Sequence, residues 1–221
     1  MAEIDDDIIR VSAFIDAQAF QAPFFVVSDP VRSSYRKFYA VLLLRHGYQK
    51  VAVTDGASSF LNESVSDLSY SFYLNALGFY KPARLSLRGA IENLLRFSLK
   101  QGDIDPTSLS VSKLFDEAKG IQAYTPLVSA IDVLKDNYAK LCRSIHTVHV
   151  NFMAQKVPFS ELMEADRSKF NTNLSDFAKV ASACCSVLYV VNPAAITRLL
   201  PEQQDFVRAE IPTRIKKAIL G

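Results

Sequence analysis

PLVSAIDVLKDNYAKLCRSIHTVHVNFM, residues 126–153, decides the fold class. Leu127, Ile131, Leu134, Tyr138, Leu141, Ile145 and Val148 follow one another in alternating steps of four and three without a miss. At about 100° per residue that spacing puts all seven on one face of an α-helix. The same seam recurs at 168–191 as Phe170, Leu174, Phe177, Ala181, Cys184, Leu188 and Val191, where Asn192-Pro193 ends it. It recurs again at 57–79 as Leu61, Val65, Leu68, Phe72, Ala76 and Phe79. Lys81-Pro82 divides that helix from the next, where Leu87, Ile91, Leu94 and Leu95 share a side and Gly102 is the stop signal. A shorter helix opens at Asp105-Pro106 and ends near Gly120, and a polar helix is expected around Pro201 to Leu220. Long apolar seams are buried most simply by antiparallel helices at shallow angles, so the expectation is an all-α, antiparallel helical bundle.

The first 55 residues read differently. IIRVSAFIDAQAF predicts one helix, and SSYRKFYAVLLLRHG a second with Ser33 as N-cap. PFFVVSD (23–29) and YQKVAVTDG (48–56) read as one or two short strands, being β-branched and bounded by Pro, Asp and Gly. No repeat, low-complexity tract or flexible linker divides the chain. One domain is therefore expected over 1–221, with an N-terminal extension (1–55), a core (57–191) and a C-terminal helix (192–221).

Composition narrows the function classes. Hydrophobic residues at 49% and charged residues at 22% are globular usage and argue against disorder. The three cysteines form no CxxC pair, and Cys184-Cys185 sits in an apolar run, which suits buried, reduced thiols in a cytoplasm. MAEIDDDIIR has no basic start and apolar stretch of a signal peptide, and the apolar windows YAVLLL and ASACCSVLYVV are too short to span a bilayer. A net charge of +2 does not by itself imply nucleic acid. There is no P-loop, no GxGxxG after a strand, no GxSxG elbow and no four-ligand zinc pattern, so neither a cofactor nor a metal is expected.

What remains is a polar ridge on the deciding helix. By helical periodicity Arg143 lies almost opposite the seam, His149 near the seam's edge, and His146 between them. Cleaving RNA without a metal needs a base for the 2′-hydroxyl proton, an acid for the leaving oxygen and a cation on the phosphorane. Histidine titrates near neutrality and serves either proton role, and arginine grips phosphate oxygens in pairs. Arg88 and Glu92, four apart on a stripe with Arg84 and Arg96, read either as a solvated ion pair or as residues that orient the histidine or grip phosphate.

LGFYKPARLSLRGAIENLLRF, with Arg88-x-x-x-Glu92 after the lead Tyr80-x-x-Ala83, resembles a helix of the HEPN superfamily. NYAKLCRSIH, with its lead Tyr138-x-x-Leu141, resembles that superfamily's late helix, which ends in a histidine. Ribonucleases of this superfamily carry an Arg, four to six residues, then a His. Arg143 to His149 has that spacing with five residues between, whereas the lead-in favours His146; Ser144 stands where active members often have Asn. The resemblance covers about 57–191. It implies a metal-independent endoribonuclease of antiviral defence or a toxin–antitoxin pair, acting on RNA as a homodimer and restrained by an antitoxin or defence-complex partner. Arg143 with His146 or His149 would be catalytic, Arg88 and Glu92 supporting or phosphate-binding. The alternative is a non-catalytic helical module that binds a partner protein or a nucleotide.

Overall fold

The structure, a computed structural model, describes residues 2–18, 26–145 and 166–220. All regular structure among them is helical. Helix α1 spans Ala2–Gln18, α2 Asp29–Tyr48, α3 Ala57–Ala76, α4 Tyr80–Gln101 and α5 Val111–Gly120. A 3-10 turn, Gln122–Leu127, leads into α6, Val128–Ile145; α7 is Arg167–Val191. A second 3-10 turn, Pro193–Arg198, precedes α8, Pro201–Glu210, and α9, Thr213–Leu220.

The apolar seams of the sequence are the buried faces. Leu127, Ile131, Leu134 and Leu141 of the α6 seam are at most 1% exposed, and Phe170, Leu174, Phe177, Ala181, Cys184 and Leu188 of α7 are buried with them. Helix α7 packs against α2, α3, α4 and α6. By length and composition α7 could cross a membrane, yet 67% of its most apolar window is buried inside the protein. Its hydropathy is that of a helix with neighbours on several sides. Phe177 of α7 meets Phe38 of α2 and Phe72 of α3 with ring centroids 5.9 and 5.4 Å apart. Buried apolar side chains from Ile8 in α1 to Ile215 in α9 form one contiguous cluster.

Helices α3 and α4 form a tight hairpin. Gly78, at φ +81°, takes the left-handed conformation that ends α3, and Phe79 N donates back to the Leu74 carbonyl at 2.8 Å. The two helices approach closely because small residues face each other: Ser64 Oγ donates to the Ala90 carbonyl at 2.9 Å. At the other end of the chain, α2 touches the second 3-10 turn through Gly47, where a Cβ would lie 2.1 Å from the Ala195 carbonyl oxygen. Only glycine fits that contact. Helix α7 is capped by Asp166, whose carboxylate accepts from Ser168 N at 2.9 Å and Lys169 N at 3.0 Å. Those backbone donors hold the Asp166 carboxyl below its ordinary range.

The N-terminal region departs from expectation. The two short strands are not seen: 48–56 is the end of α2 followed by turns, and 26–28 is irregular, while 23–25 lie outside the described residues. Backbone bonds from Gln49 N to the Arg45 carbonyl and from Lys50 N to the Gly47 carbonyl wind the chain off the helix end, and no strand among the described residues offers a pairing edge. Helix α2 starts at Asp29, not after Ser33, because Pro30 suits a first turn. Helix α1 is tied to it by Asp5 on Arg32 and by Tyr35 donating to Asp7. The C-terminal helix is two helices, since Pro212 cannot continue α8.

The cysteines carry a first prediction. Cys184 and Cys185 are fully buried, and burial pushes the Cys184 thiol up to about 12 and that of Cys185 higher still. Cys142 is half-buried. Because the thiolate is the reactive form, Ellman's reagent at pH 8 should titrate one thiol in the native protein and all three in guanidinium. Rapid labelling of all three in the native state would contradict the burial of α7.

Candidate functional site

Of the five residues singled out by sequence, the structure describes Arg143, Arg88 and Glu92; His146 and His149 lie outside the described residues. Arg143 sits in the last turn of α6 and is exposed, on the side away from the seam, as its periodicity requires.

Arg88 and Glu92 are neither a loose surface pair nor an open grip. Both are about three-quarters buried, with side-chain exposures of 24% and 23%, and they close on Tyr138 of α6. Arg88 Nε donates to Tyr138 Oη at 2.9 Å, and Tyr138 Oη donates to Glu92 Oε1 at 2.8 Å. Arg88 Nε stands 3.1 Å from the same carboxylate oxygen, and its guanidinium lies over the Tyr138 ring at 5.2 Å. Burial and the Glu92 carboxylate push the Tyr138 hydroxyl well above its usual value, against the opposing pull of Arg88. Tyr138 therefore stays protonated and acts as a donor. Cys142, one turn on, pushes that hydroxyl in the same direction. The cluster fixes one flank of α6 against α4, five residues before Arg143.

A second polar cluster ties three helices together. Asp176 of α7 has a side chain only 2% exposed. Its Oδ1 accepts from Lys140 Nζ of α6 at 2.7 Å, and Arg84 Nη1 of α4 is 3.7 Å from Oδ2. Arg84 also donates to Asn173 Oδ1 at 3.1 Å and to the Lys140 carbonyl at 3.4 Å. Burial lowers the Arg84 pKa, and the Asp176 charge works against that shift. One carboxylate thus holds the cations of two other helices beside the end of α6.

Sequence reasoning placed Arg84 on a basic stripe but missed Asp176 and the bridging role of Tyr138. The available signal was an acidic residue between Leu174 and Phe177 of the seam, where only a paired charge can be buried. No three His, Cys, Asp or Glu side chains converge as a metal site among the described residues.

Fold and site together define an all-α protein with a basic helix end braced by two buried polar clusters. Compared with family models, curated proteins and solved structures, the chain matches none.

Proposed function

We propose that the chain is a HEPN-like antiparallel helical bundle, one domain over 1–221, that works in the cytoplasm as a metal-independent endoribonuclease of antiviral defence or as a toxin. It acts as a homodimer, two copies of the motif building one cleft, and a partner protein restrains it. The observation that carries this reading is a meeting of the residues that the resemblance singles out. Arg88 and Glu92 of α4 clasp Tyr138 of α6, and Arg143 stands exposed in the next turn of that helix, three residues before His146.

In this scheme His149 or His146 takes the proton from the 2′-hydroxyl, and the 2′-oxygen attacks phosphorus. The bond to the 5′-oxygen breaks as that oxygen receives a proton from an imidazolium, leaving a 2′,3′-cyclic phosphate. Arg143 stabilises the charge on the phosphorane. Arg88 and Glu92 are supporting residues: their charges are spent on each other and on Tyr138, so they hold α6 in place without reaching RNA.

The test is incubation of the purified protein with total RNA in EDTA, beside the triple variant Arg143→Ala/His146→Ala/His149→Ala. Cleavage should persist in EDTA and vanish in the variant. Singly, Arg143→Ala and His146→Ala should each abolish cleavage while changing stability by no more than about 0.5 kcal/mol, the range of surface substitutions. His149→Ala should lower stability as well, because helical periodicity sets it nearer the apolar seam. Cleavage lost in EDTA and restored by Mg²⁺ would overturn the mechanism.

A second reading, a non-catalytic module that binds a partner protein or nucleotide, is favoured by the self-contained pairing of Arg88 with Glu92. Wild-type and triple variant equally inert toward RNA would select it.

A further inference from the structure

On another flank of α6 an open groove of about 440 Å³ runs between α6 and α7, with Lys37 of α2 and the start of α9 at its borders. Val133 and Tyr138, five residues apart, stand about 140° from each other around the helix, so the groove is separate from the Arg88 cluster. Its walls are largely apolar, formed by Val133, Ala178, Ala183 and Ile215 with serines of α6 and α7 between them. Val133 keeps 38% of its surface exposed there, as a side chain without a packing partner does.

The charges around the groove are of one sign. Lys37, Lys179 and Arg214 line it, and no acidic side chain among the described residues does. Of the acids nearest Lys179 and Arg214 in sequence, Glu210 is committed to Arg36 at 2.8 Å and Asp176 to Lys140 and Arg84. Lys179 and Arg214 make no ion pair among the described residues, and Lys37 donates to Ser33 alone. Three like charges about one apolar concavity repel one another, and an anion seated between them relieves that repulsion. Pockets of a few hundred cubic ångströms with apolar walls and a few convergent charges are the usual form of small-molecule sites.

We propose that this groove binds a small amphipathic anion, with a carboxylate or phosphate head among Lys37, Lys179 and Arg214 and an apolar body against Val133, Ala183 and Ile215. A bare inorganic ion would make no use of the apolar walls, and neither would a nucleic-acid backbone. The site is independent of RNA cleavage and stands whether or not that activity is found.

Anilinonaphthalene sulfonate, an aromatic amphiphile with one negative charge, is a suitable probe. Its fluorescence with the folded full-length protein should saturate at one molecule per chain, and its uncharged parent anilinonaphthalene should bind far more weakly. In Lys179→Glu/Arg214→Glu the Kd should rise at least about tenfold with the melting temperature unchanged. Decanoate and decyl phosphate should displace the probe, the stronger competitor identifying the head group, and a single-stranded RNA oligonucleotide should not. Ala178→Phe, which fills the groove without altering charge, should weaken binding too and serves if the charge-reversed protein fails to fold. The proposal is overturned if the probe binds the variants as tightly as wild type. Equal binding of the uncharged parent, or displacement by RNA and not by the two amphiphiles, overturns it as well.

Discussion

Leu141→Ala is expected to lower the unfolding free energy by about 2–5 kcal/mol, the cost of a large-to-small change in a core that cannot fully collapse onto the cavity. Leu141 is 0% exposed and belongs to the α6 seam, which packs against α4 and α7. Urea denaturation followed by circular dichroism measures the loss directly. The slope of the transition should be unchanged, because the surface exposed on unfolding is nearly the same. An unchanged midpoint would mean that this face of α6 meets solvent or a partner instead of the core.

Asp176→Ala should cost about as much, roughly 3 kcal/mol, for a different reason. Removing one member of a buried ion pair leaves its partner's charge desolvated, which costs about 3–5 kcal/mol. The lower end applies here because Lys140, 42% exposed, can turn its ammonium to water, whereas Arg84, 15% exposed, cannot. Two controls separate charge from packing. Asp176→Asn keeps the shape and should be nearly as destabilising. Arg84→Met added to Asp176→Ala should recover part of the loss, since the uncompensated cation is gone and its stem remains. If the double variant is no better than Asp176→Ala alone, the cost comes from the cavity and not from the stranded charge.

Arg88 shows where helical periodicity stops being informative. Its i,i+4 spacing from Glu92 was visible in the chain, and an exposed pair of that kind contributes only a few tenths of a kcal/mol. The structure turns the same pair into a three-quarters-buried clasp, because Tyr138 arrives from another helix, forty-six residues beyond Glu92 in sequence, and shares both partners. The C-terminal region teaches the same lesson locally. Periodicity suggested one helix from Pro201 to Leu220, and Pro212 splits it.

The all-α class and the inward faces of α3, α4, α6 and α7 were determined by the sequence itself. Burial of an apolar seam is a one-body property: spacings of three and four force the same face inward whatever lies opposite. The two histidines, Arg143 and the absence of any P-loop pattern were equally legible, being matters of residue identity and spacing. Only the tertiary structure decided that 48–56 leaves α2 in turns instead of pairing as a strand, since a strand exists only where a partner edge accepts its hydrogen bonds. It alone decided that Asp176 holds Lys140 and Arg84, and that Lys37, Lys179 and Arg214 border one apolar groove. Electrostatic pairing and concavity arise between residues brought together from distant helices, and no local period encodes which helices will meet.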